Sequence, residues 1–600
     1  MAPPSSFHHI SCSAKVTAGT TSVSVPALNK SVMSSINVPT VKDQPMVPPN
    51  VTDQLASVSQ QNLRNIPPKT DFLLPTPISA KRLAWYLSGY DRGKTSKLVT
   101  GFTAGFPLGT VGSIPPRTAS NHRSTLEHIS FVQDKLSKEI TDKRIKGPYL
   151  SPPLPNFVCS PLGVVPKKTP NSYRLIHDLS FSRSLPSVNS MIPKENSTVT
   201  LETFDHVSAL VLQSGRNSLV SKVDIEEAFR IVPITPLDYN KLGFTFQGRY
   251  YFDTVLPMGA SSSVAIFESL AQSIQWILQN KCNVSKVSHI IDDFIFVGAP
   301  DSSECKIALD AFISLASDIG IPIKHDKTVM PTTQIVVHGI HIDTSTLMAS
   351  LPDEKVTTLQ QILFSCKKKR KVTLKQLQSV IGHLNFACKV IKPGRCFLRR
   401  LHDLTVGKTK GYHYIKLTKD SRADLDLWYT FLQKYNGCTL LTNDRFVSSV
   451  TLKLHSDAAS TKGFACTHLT SWTFGAFPNE VKGHHINILE LYPIALAVFL
   501  FGHQWENKNV CFVCDNLAVV YCLNKQTSKD STMMKLIRII VLKALECNFC
   551  FQSSHIPTSK NTICDKLSRF QVDEALSLAP FLDKDPTAIP LEMSPLMLLK

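Results

Sequence analysis

Apolar residues follow two patterns along this chain, helical periodicity and short strand-length runs. They repeat at helical spacing from Val264 to Leu278 and from Ser421 to Tyr435, which predicts amphipathic helices. In the second helix Leu425, Trp428 and Leu432 form one stripe, which we expect to lie in a core. Elsewhere, short apolar runs of strand length end at turn residues. The pattern predicts a mixed α and β protein.

Two of the strand-like runs end in acidic residues. Asp224 closes the run Ser-Lys-Val-Asp, and Asp292 and Asp293 follow His-Ile-Ile at the turn of another run. Three carboxylates gathered in this way can hold two divalent cations, the arrangement used in two-metal phosphoryl transfer. An Asp-Asp pair is also common in turns without chemistry. The acids alone leave both interpretations open.

The segments around these acids add to the first interpretation. Residues 162–176 are predicted to form a hairpin that places Lys167 and Arg174 on one projecting finger, where cations can hold a triphosphate. Gly259 interrupts the chain, so the backbone there can approach a ligand closely. A short strand is predicted over 336–343.

A second set of acids follows in the last third of the chain. Asp457 ends an apolar run, Glu490 opens a helical pattern, and Asp515 ends a further strand. Asp565 leads into the last predicted helix, ten residues after His555. Each acid alone fits a helix cap or a turn, whereas together they can form a second two-metal site.

The segments from about Ser160 to Asp343 resemble, in order and spacing, the palm of reverse transcriptases. The resemblance implies that Asp224, Asp292 and Asp293 bind metal. It also implies that Phe229 screens the incoming sugar, because its ring would collide with a 2′-hydroxyl. The remaining nucleotide-binding residues that it implies are Lys167, Arg174, Met258, Gly259 and Lys327.

Residues from about Thr451 to Phe570 resemble ribonuclease H, with acids in the order Asp, Glu, Asp, Asp. The resemblance implies that the acids bind metal and that a histidine assists proton transfer or product release. The implied active-site residues are Asp457, Glu490, Asp515, Asp565 and His555.

The wording of several motifs is similar to the tyrosine-recombinase retroelements of the DIRS class; examples are Ser-Pro-Leu-Gly-Val-Val-Pro-Lys-Lys from Ser160 and Asp-Lys-Leu-Ser-Arg from Asp565. The resemblance implies a right-hand polymerase, with a ferredoxin-like palm, fingers and helical thumb, followed by an α/β ribonuclease H-like domain. It implies RNA- and DNA-directed DNA synthesis coupled to degradation of hybrid RNA, with two Mg²⁺ or Mn²⁺ ions per active site. The implied partners are an RNA template, a DNA primer, an RNA/DNA hybrid, deoxynucleoside triphosphates and a separately encoded tyrosine recombinase.

Three positions depart from the common pattern of these enzymes. Ile290 stands where tyrosine is usual, Met258 where retroviral enzymes carry glutamine, and His338 where leucine is usual. They keep open a second hypothesis, a decayed or domesticated copy that binds nucleic acid without catalysis. A retroviral polyprotein fragment is less favoured, because no Asp-Thr-Gly or Asp-Ser-Gly protease motif occurs.

Composition adds a partner class and a compartment. The chain has 600 residues, 43% of them hydrophobic and 18% charged, which is typical of several globular domains. Its net charge of +19 favours a polyanion such as nucleic acid, although an anionic membrane surface would also suit the charge. No apolar run of 18 residues and no secretory signal occur, so we expect an intracellular protein of the cytoplasm, the nucleus or both, with no membrane partner.

The 15 scattered cysteines fit a reducing compartment. Two pairs, Cys511/Cys514 and Cys547/Cys550, have the spacing of zinc ligands. Both lie in runs that read as strands, in which residues three apart point to opposite faces. We therefore expect structural cysteines at all four positions.

The predicted organisation has six parts. In the second part, residues 71–149, one helix face is expected to be solvated and carries Glu127, Lys135, Lys138 and Glu139. In the fourth part, residues 344–450, the basic run Lys367–Lys371 is expected to be solvated, to contact phosphate or to act in nuclear import. The parts are a disordered Ser/Thr/Pro-rich lead (1–70), an N-terminal helical extension of the fingers (71–149), fingers and palm (150–343), thumb and connection (344–450), the ribonuclease H-like domain (451–572) and a C-terminal tail (573–600).

Overall fold

The computed structural model describes residues 74–599 apart from 168–170, 183, 435–437, 440–445, 448, 453, 507 and 548. The predicted disordered lead lies outside the described residues. The elements up to residue 350 are α1 (Ala80–Tyr86), α2 (Arg92–Ala104), α3 (Arg123–Glu127), α4 (Ile129–Thr141), β1 (Ile145–Tyr149), β2 (Leu162–Pro166), β3 (Tyr173–His177), α5 (Phe204–Ser214), β4 (Leu219–Asp224), β5 (Gly243–Phe246), β6 (Arg249–Asp253), α6 (Ser263–Lys281), β7 (Val287–Ile290), β8 (Asp293–Gly298), α7 (Glu304–Ile319), β9 (Val329–Thr332), β10 (Gln334–Val337), β11 (Ile340–Asp343) and β12 (Met348–Ser350).

The palm is a four-stranded antiparallel sheet in the order β7-β8-β4-β9. Strands β4 and β8 stay in register over their whole length, from Leu219 opposite Gly298 to Asp224 opposite Asp293. Phe294 and Phe296 of β8 are fully buried against helices α6 and α7, so the sheet has little freedom to shift its register. The helix predicted from Val264 is confirmed as α6.

The fingers combine the hairpin β2-β3 with a sheet of order β1-β6-β5. The predicted hairpin is confirmed, with Val165 opposite Arg174. The solvated face predicted for helix α4 is wrong at Glu139, which is only 2% exposed. Its carboxylate accepts hydrogen bonds from Arg230 and lies 2.6 Å from the ammonium of Lys135. The spacing of charges along the helix did not predict that Arg230, from a distant segment, would pair with Glu139 inside the protein.

The thumb and connection follow. The strand predicted over 336–343 is in fact the hairpin β10-β11, because His338 and Gly339 both have positive φ and form a tight turn. Leu425, Trp428 and Leu432 are buried, which confirms the predicted core stripe. The elements are α8 (Asp353–Lys367), β13 (Lys371–Thr373), α9 (Leu374–Ala387), α10 (Arg399–Asp403), β14 (Tyr414–Lys416), α11 (Lys419–Lys434) and β15 (Cys438–Thr439).

The C-terminal domain is built on one mixed sheet. Strand β17 pairs antiparallel with β18 and β18 with β19, while β20 runs parallel to both β17 and β21. The elements are β16 (Phe446–Val447), α12 (Ser449–Leu452), β17 (His455–Ala458), β18 (Gly463–His468), β19 (Ser471–Ala476), α13 (Ile486–Phe501), β20 (Asn509–Cys514), α14 (Leu517–Lys525), α15 (Ser531–Glu546), β21 (Cys550–His555), α16 (Thr562–Ser568), α17 (Val572–Leu578) and α18 (Pro595–Leu599).

Helix α13 is the central helix of this domain. The segment Ile486–Trp505 is long and apolar enough to cross a membrane, but 72% of its apolar window is buried inside the fold. It packs against β17 and β18 on one side and α15 on another. Burial on several faces accounts for a helix that is apolar all round.

The segment predicted as a C-terminal tail is packed onto the C-terminal domain. The indole of Trp472 donates to the carbonyl of Asp583 (2.8 Å), and the hydroxyl of Tyr492 donates to the carbonyl of Met593 (2.7 Å). Leu599 is buried in the same core. The sequence hid this packing because the segment is short and lacks a long periodic run.

One hydrophobic core continues from the palm and thumb into the C-terminal domain. At the seam between them, Arg538 of α15 pairs with Asp424 of α11, which is fully buried. The guanidinium also donates to the carbonyl of Cys396 (3.3 Å) and lies over the ring of Phe397. The palm and thumb are therefore joined to the C-terminal domain by packed side chains and a buried ion pair.

Candidate active sites

Three carboxylates meet at one edge of the palm sheet. Asp224 ends β4 directly opposite Asp293, the first residue of β8. Asp292 lies in the two-residue turn between β7 and β8, and its carbonyl accepts from the amide of Ile225 (3.0 Å). Ile291, the other turn residue, has φ 58°, a left-handed conformation that is costly for a β-branched residue. This turn aims the acids of β8 at the end of β4.

Lysines partly balance these acids. Lys327 places its ammonium 3.0 Å from Asp224, and Lys222 lies 3.9 Å from Asp293. Burial, followed by the charges of Asp224 and Asp293, raises the pKa of Asp292 to about 6. Burial also raises the pKa of Asp293, whose Oδ1 is buried without a hydrogen-bond partner among the described residues. An acceptor in this state suits a cation ligand.

A buried polar network holds β7, the strand that leads into the turn with Asp292. His289 of β7 is 2% exposed, and its Nε2 lies 3.1 Å from the carboxylate of Glu268. Its Nδ1 contacts the side-chain oxygen of Gln275, and its amide donates to Glu202 (3.2 Å). Ser288 also donates to Glu202 (2.5 Å). The network ties β7 to helix α6 and to Glu202 in the segment just before α5.

The residues implied to hold nucleotide lie on several elements. Lys167 and Arg174 are exposed and fall on the same face of the hairpin, since Val165 is opposite Arg174 and two residues before Lys167. Phe229 is half-buried after β4, with its ring edge-on to Phe267 at 5.5 Å. Of these four side chains, two are cations on the finger, one is an aromatic ring packed on Phe267, and Lys327 is paired with Asp224.

Gly259 lies close to another segment of the chain, while its approach to a ligand stays a prediction. A Cβ at this position would lie 2.0 Å from the carbonyl oxygen of His177, so the close approach that requires glycine is to the fingers hairpin. The carbonyl of Gly259 accepts from Asn189 (2.9 Å). Met258 beside it is 53% exposed. Gly259 thus docks α6 onto the fingers.

The second set of acids is gathered by four elements. Asp457 lies inside β17, Glu490 on α13, Asp515 just after β20 and Asp565 on α16. Among the described residues, the tight group of ligand-type atoms is Glu490, Cys514 and Asp515, all within 4.8 Å of one another. The three palm acids do not form so tight a group in the described chain.

Burial dominates the electrostatics of this second site. It raises the pKa of Asp457 to about 6 and that of Glu490 to about 9, with the neighbouring acids adding to both shifts. Oε2 of Glu490 is buried without a hydrogen-bond partner among the described residues. Asp565 is paired with Arg569 at 2.8 Å. The carboxylates are crowded in the way that divalent cations relieve.

His555 ends β21 beside the acids. Its Nε2 lies 3.2 Å from the carbonyl oxygen of Asp515, and the ring is exposed. Asp515 also accepts from the hydroxyl of Thr558 (2.9 Å). The histidine is therefore close to the acids and open to solvent, as a proton carrier must be.

Several residues of these sites were not singled out by the sequence patterns. Ser568 donates to Asp457 (2.6 Å), and Cys514 stands beside Glu490. Lys222 could have been found from its position two residues before Asp224 on the same strand face. The contact of Ser568 depends on the docking of α16 and has no local signal.

The cysteine pairs behave partly as expected. Cys514 is buried at the second site while Cys511 contacts Ser554, so these two thiols face different surroundings. Cys547 is the C-cap of α15 rather than a strand residue, whereas Cys550 begins β21. Among the described residues, Cys514 belongs to the group of ligand-type side chains with Glu490 and Asp515, and its pair partner Cys511 does not.

Comparison with known proteins finds similarity over the region that contains the first site. Residues 165–342 match the family model described as reverse transcriptase (RNA-dependent DNA polymerase). Over 361 residues the chain is 24% identical to Protein P of Heron hepatitis B virus, covering 60% of this chain and 43% of that protein. Over 306 residues it is 25% identical to the Pro-Pol polyprotein of Feline foamy virus, covering 51% and 23%. The chain spans less than half the length of these relatives.

Solved structures similar to the chain include a foamy viral protease-reverse transcriptase in complex with RNA/DNA hybrid (TM-score 0.46, 16% identity, 83% of this chain and 65% of that one). Another is the foamy viral protease-reverse transcriptase dRH in complex with ds DNA (TM-score 0.45, 17% identity, 82% and 85%). From the family match, the chain contains a reverse transcriptase domain homologous to these viral polymerases.

Proposed function

We propose that this protein is an RNA- and DNA-directed DNA polymerase with a second, ribonuclease H active site, and that it copies the RNA of a retroelement into DNA. The observation that carries the proposal is the pairing of Asp224 with Asp293 across the palm sheet, beside Asp292, within a region that matches reverse transcriptases. The C-terminal acids support the second activity.

In the polymerase reaction, Asp224, Asp292 and Asp293 would hold two magnesium or manganese ions. When bound, such ions lower the pKa of the attacking 3′-hydroxyl and take up the charge of the leaving pyrophosphate. Lys167 and Arg174 would bind the triphosphate of the incoming deoxynucleotide. Phe229 would exclude a 2′-hydroxyl by contact with its ring.

At the second site, Asp457, Glu490, Asp515 and Asp565 would hold the ions that activate water for hydrolysis of the RNA strand. His555, exposed beside Asp515, would carry a proton to or from the reacting oxygen. The orphaned oxygen of Glu490 supports this assignment, because a buried carboxylate without a donor is stabilised by a cation.

We further propose that the chain comes from a DIRS-class element, whose DNA a separately encoded tyrosine recombinase would integrate. The motif at Ser160 and the motif at Asp565 support this origin. The proposed substrates are an RNA template, a DNA primer, their hybrid and deoxynucleoside triphosphates.

The test is primer extension on an RNA template with magnesium, using the purified full chain. The parent is expected to extend the primer and Asp292→Asn to lose extension. Asp301→Asn is the matched control, since Asp301 is exposed in the loop after β8. A folded parent that binds template yet never extends a primer would contradict the polymerase and favour a non-catalytic, domesticated copy.

A further inference from the structure

The thumb carries a small two-faced ribbon formed by β13 and β14. Val372 lies opposite Ile415, and these two side chains are buried at 1% and 5% exposure. Side chains alternate along a strand, so the neighbouring cross-strand pairs face outward. One of these outward pairs is Lys371 opposite Lys416.

That lysine pair is unfavourable in the protein alone. Like charges directly opposite one another destabilise a strand pair. Within the described part of the chain, neither Lys371 nor Lys416 forms an ion pair with a carboxylate. The ribbon therefore keeps an uncompensated positive charge on its outer face, and an anionic ligand would relieve it.

The surroundings extend this charge. Segments 368–375 and 406–419 contain no Asp or Glu. The bordering acids Asp403, Asp420 and Asp426 pair with Arg399, Arg400 and Lys367. The exposed basic residues of the two segments are Lys368, Lys369, Arg370, Lys371, Lys375, Lys408, Lys410, Lys416 and Lys419.

Two aromatic rings stand among these cations. Tyr414 faces outward beside the lysine pair and is 73% exposed, and Tyr412, two residues earlier, is 68% exposed. Exposed rings beside basic side chains stack on unpaired bases while the cations contact the backbone. A duplex offers phosphates to the lysines but keeps its bases stacked on each other.

We propose that the β13-β14 ribbon is a binding site for single-stranded nucleic acid. Lys371, Lys416 and the basic residues around them contact phosphates, and Tyr412 and Tyr414 stack on unpaired bases. The proposal goes beyond the polymerase and nuclease, because this binding requires neither metal nor nucleotide. The basic run Lys367–Lys371 begins at the end of helix α8 and finishes at the start of strand β13. It is therefore part of the folded ribbon and not a single extended peptide of the kind expected for a nuclear-import signal.

The test measures fluorescence anisotropy of a labelled oligo(dT) strand and of a duplex of equal length, with the full chain in EDTA. Tyr412→Ala/Tyr414→Ala should weaken single-strand binding about tenfold or more and leave duplex binding unchanged. Tyr412→Phe/Tyr414→Phe keeps both rings and should bind as the parent does. Equal affinity of the Ala and Phe pairs for the single strand would overturn the stacking role.

Charge is tested separately. Lys371→Gln/Lys416→Gln should reduce the slope of log affinity against log salt by about 1.4, from roughly 0.7 per phosphate contact on single strands. Lys371→Arg/Lys416→Arg should keep the parental slope. The melting temperature of the Gln pair should not fall, because the substitutions remove a repulsion between like charges. An unchanged salt slope in this folded variant would overturn the site. So would a larger loss of binding to phosphatidylserine vesicles than to the strand.

This result is distinguishable from failure of the proposed polymerase. Asp292→Asn should bind the single strand as the parent does, because the palm acids are not part of the ribbon. The ribbon variants should keep extension on a primed template at saturating concentration. Loss of strand binding in Asp292→Asn would place the measured site in the palm and contradict the ribbon.

Discussion

The two acidic sites balance their charge in different ways. At the palm, two acids have a lysine nearby, Lys327 at Asp224 and Lys222 at Asp293. At the C-terminal site, the ion pair found within the described chain is that of Arg569 with the outermost acid, Asp565. Its other acids accept hydrogen bonds from the hydroxyls of Ser568 and Thr558 and from the backbone amide of Ala458.

The difference appears in the acidity of the two sites. The most shifted palm acid, Asp292, has a pKa raised to about 6, whereas burial and neighbouring acids raise that of Glu490 to about 9. A neighbouring ammonium favours the charged form of a carboxyl group, whereas burial beside other acids favours the protonated form. We infer that Asp292 is charged before metal arrives at neutral pH and that Glu490 becomes charged when metal binds.

If the sites are chemically independent, their activities should be lost separately. Asp292→Asn should reduce primer extension at least about a hundredfold while hybrid cleavage continues, and Asp515→Asn should do the reverse. Both assays are run on the same preparations, with Asp585→Asn as an exposed control for the second site. Parallel loss of both activities in a folded single variant would show that the sites are not independent.

The palm has an aromatic neighbour that is expected to affect one activity alone. Phe229→Val should lower discrimination against ribonucleotides about tenfold or more, because the ring no longer blocks a 2′-hydroxyl. Phe229→Tyr keeps the ring and serves as the control. Unchanged discrimination in a folded Val variant would make Phe229 a packing residue for Phe267, and hybrid cleavage should stay at the parental level throughout.

The two sites should also differ in how pH affects their need for magnesium. Metal binding must displace the proton of Glu490, so the magnesium required for hybrid cleavage should fall about tenfold per pH unit between pH 7 and 9. The magnesium concentration required for primer extension should stop depending on pH above about pH 6, where Asp292 has lost its proton. Half-saturating magnesium is measured for both reactions across pH 6–9. Identical profiles would contradict the contrast in charge balance.

A smaller effect is expected on stability in EDTA. The folded-state pKa of Glu490 lies above its unfolded value, so the folded chain binds the extra proton and stability falls as pH rises from about 4.5 to 9. Glu490→Gln removes this cost and should stabilise the C-terminal domain at pH 8 by about 1–3 kcal/mol, measured as a melting temperature a few degrees higher. Glu480→Gln, an exposed acid, should change nothing. A lower melting temperature for Glu490→Gln would refute the assigned cost.

The sequence predicted the elements whose signal is local. Helix α6 and the β2-β3 hairpin follow from periodicity and turn residues, and the acids follow from their places at strand ends. The hairpin at His338 was predicted as one strand because His338 lies between apolar residues and a single glycine. Nothing in the sequence indicates that a histidine at this position has positive φ. Burial of Glu139 was also missed, since its partner Arg230 comes from a distant segment.

The same limit applies to the sites. The three palm acids and Asp515 could be found from sequence because each has a short motif around it. The network of His289, Glu268 and Gln275 could not, because its members join only when α6 packs beneath β7. Side chains that position the acids through tertiary contacts leave little trace in spacing alone.

The continuous core has a consequence for any attempt to divide the chain. A fragment ending near residue 450 would keep Asp424 and Arg400, whose guanidinium lies 3.6 Å from it, but lose Arg538, so the buried carboxylate would lose its nearest counter-charge. The complementary fragment would expose the apolar side of α15 that belongs to the shared core. Both pieces would therefore be prone to aggregation, and the two proposed activities are best separated by single substitutions in the intact chain.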